Sequence, residues 1–170
     1  MIQIQKATLS DLESILHLTN QEIVNGTAFW MTTPRSYQEQ MTWFTACQKA
    51  NLPILIARNQ NQNVLGYASY GPFRAYDGYK HTVEHSLYID PSAQRQGIGK
   101  RLLEKLMHCA KANQVHVMVA CIAENNIASI KLHEGLDFKV AGVLPEIGIK
   151  FNKWLNLLFM YKILTPNDSL

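Results

Sequence analysis

Cysteine is scarce: three in 170 residues, Cys47, Cys109 and Cys121, an odd set with no C-x-x-C spacing. This argues against a disulfide framework or a thiolate zinc cage and makes reduced thiols the expectation. No apolar run approaches the ~20 residues that span a bilayer. The opening Met-Ile-Gln-Ile-Gln-Lys lacks the basic-then-apolar layout of a signal peptide. A cytoplasmic setting with no membrane contact is therefore expected. Charge is sparse as well, with Lys+Arg 16 against Asp+Glu 13 for a net +3. So small an excess does not point to nucleic acid. No repeat, low-complexity tract or Pro/Gly/Ser linker divides the chain, so residues 1–170 read as one domain with a loose tail at the end. Among six histidines, His81 and His85 are the closest pair. On a strand rising ~3.3 Å per residue they stand roughly 13 Å apart. No H-E-x-x-H occurs either, and no metal is predicted.

Apolar residues, by contrast, make up 47% of the chain, enough for a substantial core. Residues 2–6 alternate as a strand. Ser10 with Glu13 has the spacing of a capping box, and Leu12, Ile15, Leu16 and Ile23 follow at helical period. Ser36 with Glu39 predicts a second helix start, with Tyr37, Met41 and Phe44 as its stripe. Pro53 to Arg58 and Val64 to Tyr70 read as a hairpin around Asn59–Asn63. Thr82 to Ile89 is a strand closed by Asp90-Pro91. A helix to about Ala112 carries Ile98, Leu102, Leu103, Leu106 and Ala110. Val115 to Ile122 has the near-continuous apolar character of a central strand. Asn126 to Glu134 is a short helix, and Leu136 to Val143 and Trp154 to Ile163 close the domain. The sum is an α/β fold on a mixed sheet.

One segment stands out chemically: Gln94-Arg95-Gln96-Gly97-Ile98-Gly99-Lys100-Arg101. Two glycines entering a helix leave N–H groups free at the positive end of the helix dipole, where a diphosphate is the natural ligand. A dinucleotide fingerprint would need glycine where Leu102 stands. A Walker loop would need glycine at Gln94 and a hydroxyl at Arg101. Both fail. A plain helix cap with solvated basic residues is the competing reading. From Gln94 to Lys105 there are four basic residues against Glu104, so this stretch matches the whole net charge.

The succession of a strand ending in Asp-Pro, then Q-x-x-G-x-G at Gln94, Gly97 and Gly99, then helix, strand and Asn-led helix resembles the GNAT superfamily of acetyl-CoA-dependent N-acetyltransferases. The resemblance extends over nearly the whole chain. It is closest to the branch acting on phosphinothricin and methionine sulfoximine, through Gly66-Tyr67-Ala68-Ser69-Tyr70-Gly71, Thr82-Val83-Glu84-His85-Ser86, Glu124 to His133, and Lys150-Phe151 through Trp154-Leu155. It implies a mostly antiparallel mixed sheet flanked by helices, with a splayed central strand pair that binds acetyl-CoA. It also implies a small-molecule amine acceptor and a homodimer.

Residue by residue, the resemblance gives coenzyme contacts at Leu87, Tyr88, Ile89, Gln94, Arg95, Gln96, Gly97, Ile98, Gly99, Lys100, Asn126 and Ser129. Leu87, Tyr88 and Ile89 would act through their backbone. Glu84 corresponds to the base, although an isolated strand glutamate more often faces solvent. His133 occupies the position where many relatives carry a tyrosine acid, and its near-neutral pKa suits that task. Arg74, Ala75 and Tyr76 with Glu84, His85 and Ser86 correspond to the acceptor pocket, where Arg74 would pair with a carboxylate or phosphinate. Phe29, Trp30 and Lys150 are further candidates for that pocket. Asp137 departs from the family, which often has glycine there, and must adopt a conformation glycine adopts more readily. The alternatives are acetylation of another small amine or a peptide N-terminus, and a non-catalytic coenzyme A-binding module.

Overall fold

Residues 2–165 are described by a computed structural model. The chain runs β1 (Gln3–Lys6), α1 (Leu12–Asn25), α2 (Tyr37–Lys49), β2 (Ile54–Arg58), β3 (Val64–Pro72), β4 (Thr82–Ile89), α3 (Ile98–Ala112), β5 (Val117–Ala123), α4 (Ile127–Glu134), β6 (Lys139–Lys150) and β7 (Lys153–Ile163). It forms two compact units, each assembled from two stretches. One takes the chain up to Tyr70 with Ser86–Leu106, and the other takes Gly71–His85 with the chain from Met107 onward. The strand β4 and the helix α3 each pass from one unit into the other. The loose tail expected at the end falls on residues 166–170, outside the described residues. Among the described residues no helix is long and apolar enough to cross a membrane.

In the first unit β1, β2 and β3 pair antiparallel, with Ile4 opposite Ala57 and Ile56 opposite Tyr67. Four of the five β2 residues are buried. Leu12, Ile15 and Leu18 of α1, Phe44 and Cys47 of α2, and Ile56, Tyr67 and Tyr88 form its core. The first helix start differs from the sequence reading. Thr8 and Asp11, rather than Ser10 and Glu13, make the capping box, with the Thr8 amide donating to Asp11 at 2.7 Å. Asp11 is preferred because its carboxylate, 1% exposed, also pairs with Arg58. The box at Ser36 and Glu39 is present as expected. Its reciprocal hydrogen bonds hold the exposed Glu39 carboxyl below its ordinary value. On that helix Phe44 is buried but Tyr37 is 46% exposed, and Gln40 takes the buried place one turn before Phe44. At Gly66 an added Cβ would lie 2.7 Å from the Tyr88 carbonyl oxygen, so β3 approaches β4 only with glycine there.

In the second unit β4 pairs parallel with β5 over Thr82–Glu84, β5 pairs antiparallel with β7 over seven positions, and β7 pairs with β6. The continuous apolar run 117–123 thus has β7 along its whole length and β4 along its first three residues. β6 continues to Lys150 instead of ending at Val143, because bulges after Val140 and Leu144 absorb Ala141 and residues 145–147. Those residues break the two-residue alternation that sequence reading relies on. Phe151 and Asn152, both with positive φ (51° and 58°), close the hairpin in two residues. Ile98, Leu102, Leu103, Leu106 and Ala110 of α3 are all at most 1% exposed. Burial of each leucine contributes roughly 1.5–3 kcal/mol.

Candidate active site

The loop after β4 begins with Asp90, whose carboxylate accepts from the Ser92 amide at 2.8 Å. Gln94 is extended, Arg95 turns left-handed at φ 60°, and Gly97 again at φ 74°. Alternation of this kind turns successive N–H groups toward one side, as in anion nests. A Cβ built at Gly97 meets nothing within 4 Å, so open space lies over the loop. The 15-residue α3 starts at Ile98 with no acidic residue in its first turn. Ile98 is buried and can contribute only backbone, whereas Gln94, Arg95, Gln96 and Lys100 are exposed and Gly99 is half-buried. Gln96 reaches back to the Ser92 carbonyl at 3.5 Å, and Arg101 donates to the Ile2 carbonyl at 2.8 Å. The loop's form and donors fit a diphosphate.

Just before the loop, β4 carries Leu87 and Ile89, both half-buried, and Tyr88, whose ring packs on Tyr67 (5.1 Å) and Phe29 (5.9 Å). Burial first, then the neighbouring Tyr67, holds the Tyr88 hydroxyl well above its ordinary pKa. The Ser86 side chain pulls that value the other way. Phe29 stacks under the Arg35 guanidinium at 5.1 Å, and Trp30 donates to the Thr27 carbonyl at 2.8 Å.

In the second unit the residues expected to meet the acceptor divide. Successive β-residues face opposite ways, so Glu84 and His85 cannot share a side of β4. Glu84, half-buried, stands opposite Val119 of β5, and its carboxylate bears on the thiol of Cys121, two residues further on and on the same face. Arg74 acts electrostatically on the same thiol, so its charge lies within reach of this cluster, and its guanidinium sits 4.8 Å over Phe73. Ala75 and Tyr76 are exposed, Tyr76 by 77%. Lys150 is 3% exposed, with its ammonium 5.1 Å from the Phe151 ring.

His85 goes to the other face, against α4. It stacks on His133 with ring centroids 5.0 Å apart, and Phe138 packs edge-on to both. His133 Nδ1 lies 2.7 Å from the Ser129 carbonyl oxygen, which can only accept, so that nitrogen carries the proton. His133 Nε2 then accepts from His85 Nε2–H at 3.0 Å. His85 Nδ1 is left as a buried lone pair without a partner. Burial, then the neighbouring His133, pushes His85 down to about 3, and burial lowers His133 as well. Both rings are neutral at pH 7. In this arrangement the single N–H of His133 is directed to the Ser129 carbonyl. Asn126 caps α4 by accepting from the Ser129 amide at 3.1 Å. Asp137 does take the left-handed conformation, φ 61°, with its carboxylate 3.2 Å from the Lys162 ammonium.

The Cys121 contact and the His85–His133 pair were not read from the sequence. Cys121 is the lone hydrogen-bond donor side chain in an apolar strand, a weak signal. The histidines are 48 residues apart and gave none.

The Acetyltransferase (GNAT) family model matches residues 14–138, and the chain belongs to that family; it is an acetyl-CoA-dependent N-acetyltransferase. It is 42% identical over 166 residues to the L-methionine sulfoximine/L-methionine sulfone acetyltransferase of Pseudomonas aeruginosa, covering 98% of this chain and 96% of that one. It is 31% identical to the phosphinothricin N-acetyltransferase of Alcaligenes faecalis, over 94% and 81% of the two chains. The structure of the yncA protein of Salmonella typhimurium, solved with its cofactor acetyl-CoA, superposes with a TM-score of 0.95 at 36% identity, covering 98% of this chain and 96% of that one.

Proposed function

We propose that this protein acetylates the α-amine of a small amino-acid analogue of the methionine sulfoximine or phosphinothricin type, in the cytoplasm, by direct attack with both substrates bound. The observation that carries the reading is the half-buried Glu84 carboxylate on β4, with Arg74 next to Phe73, whose amide donates to the Thr82 carbonyl at the start of that strand at 3.2 Å. That grouping offers a base for an ammonium and a cation for an acidic group on the same small molecule. Acetyl-CoA supplies the acetyl group as an activated thioester. The amides of the 94–99 loop and the Lys100 charge hold its diphosphate, Leu87, Tyr88 and Ile89 offer backbone groups, and Asn126 and Ser129 contact its arm. Glu84 takes the proton that the amine loses, and the thiolate takes one from solvent. An α-ammonium with pKa near 8 costs about one pH unit to deprotonate at neutrality, against about three for a lysine. An α-amine is the lighter task.

The test is thiol release from acetyl-CoA with methionine sulfoximine, phosphinothricin, peptide N-termini and small amines. Turnover is expected with one or both of the first two. Turnover with the others alone would move the assignment to another amine. Thermal stabilisation by coenzyme A with no turnover for any acceptor would leave only a binding module.

We further propose that residues 1–170 act as one domain, because β4 and α3 each serve both units, and that the protein is a homodimer. Ile147, Ile149, Phe151 and Trp154 are all at least half exposed along the β6–β7 hairpin, an apolar surface of the kind that partners cover. Light scattering is expected to give twice the 19.3 kDa chain mass, and a monomer at micromolar concentration would remove the dimer.

A further inference from the structure

The strand β5, Val117–Ala123, holds one side chain able to donate a hydrogen bond, Cys121. In its parallel register with β4, Val119 stands opposite Glu84, the last paired residue. Two residues on, Cys121 falls on the same face as Val119, which is the side of the sheet that Glu84 takes on β4. Glu84's sequence neighbour His85 cannot serve there, since it faces the other way and is bound to His133.

We propose that Cys121 is a positioning residue for acetyl transfer: its S–H holds one oxygen of the Glu84 carboxylate and leaves the other free for the proton of the acceptor amine. The proposal rests on Glu84 being the base. An ionised carboxylate accepts at two oxygens, so a single donor fixes its orientation without blocking proton uptake. General-base catalysis depends on that orientation, because the base must lie within hydrogen-bond reach of the proton it removes. The thiol itself is no nucleophile. Burial first, then the charge and hydrogen bond of Glu84, push it up to about 12, with Arg74 pulling the other way. A thiol held protonated in this way neither attacks the thioester nor alkylates quickly at neutral pH.

The test compares wild type, Cys121→Ala, Cys121→Ser, Glu84→Gln and the Glu84→Gln/Cys121→Ala double variant on one acceptor. Cys121→Ala is expected to lower kcat about 10-fold with KM for acetyl-CoA unchanged, a loss in line with a misplaced catalytic group. Cys121→Ser keeps an oxygen-borne donor and is expected to return kcat to within about twofold of wild type, since a hydroxyl donates to a carboxylate at least as well as a thiol. The double variant should be no slower than Glu84→Gln alone, because Cys121 acts through Glu84. Alkylation of Cys121 by iodoacetamide, followed residue by residue by mass spectrometry at pH 8, should be faster in Glu84→Gln than in wild type. Wild-type kcat in Cys121→Ala, alongside a slow Glu84→Gln, overturns this inference alone. Wild-type kcat in Glu84→Gln overturns the base assignment and the inference with it. An unchanged alkylation rate, or a double variant slower than Glu84→Gln, also overturns it.

Discussion

Glu84→Gln is expected to lower kcat by about 100-fold or more, the scale of general-base catalysis, with acetyl-CoA affinity unchanged. Glutamine keeps the shape and the half-buried place of Glu84 on β4 but cannot take a proton. The variant must then wait for acceptor that arrives already as free amine. That fraction grows about tenfold per pH unit below the amine pKa near 8, so the residual rate should climb steeply between pH 6 and 8. Stopped assays over that range, with acetyl-CoA affinity measured separately by calorimetry, check both halves. An equal fall in affinity would make Glu84 a binding residue instead.

Acid should destabilise the protein well before its carboxylates protonate, and the His85–His133 pair is the cause. Burial, then His133, pushes His85 down to about 3 in the folded chain, against its ordinary 6.5 when unfolded. Above pH 6.5 both states hold it neutral, and no proton difference exists. Between 6.5 and about 3 the unfolded chain binds a proton that the folded chain excludes. Stability then falls by about 1.4 kcal/mol per pH unit from this residue, and below its folded pKa the loss is complete. His133 is lowered in the same direction and adds to the slope. Against a total stability of about 5–15 kcal/mol the effect is large. A Tm series from pH 7.5 to 5 should decline in wild type and be flatter in a His85→Phe/His133→Leu variant. The slope is the readout, since the replacement also changes packing against Phe138. Parallel declines would show that the pair is not the source.

Much of the fold was legible because local pattern and tertiary need agree. The α3 stripe reads at helical period, and all five of its residues lie in the core. The Thr82–Ile89 boundaries follow from alternation and from Asp90-Pro91. The Ser36–Glu39 box is a local hydrogen-bond exchange that needs no other part of the chain. Errors came where a distant group intervened. Arg58, 47 residues away, makes Asp11 the helix cap, and Tyr37 yields the inner face of α2 to Gln40 and Phe44. Bulges carried β6 past Val143, where the sequence reading ends it.

The three cysteines that first excluded disulfides mark the same division. By itself the sequence determined the enzyme class through its resemblance to the GNAT superfamily, carried by contiguous stretches such as the glycine loop, whose N–H groups act through their own backbone. It also determined Glu84 as the candidate base, through the stretch around it. Only the tertiary structure decided the surroundings of that carboxylate. Pairing between β4 and β5 set Cys121 beside Glu84, and the pleat sent His85 away from it to His133. Those contacts join residues 37 and 48 positions apart, and strand register, which fixes which side chains meet, is written in no local pattern.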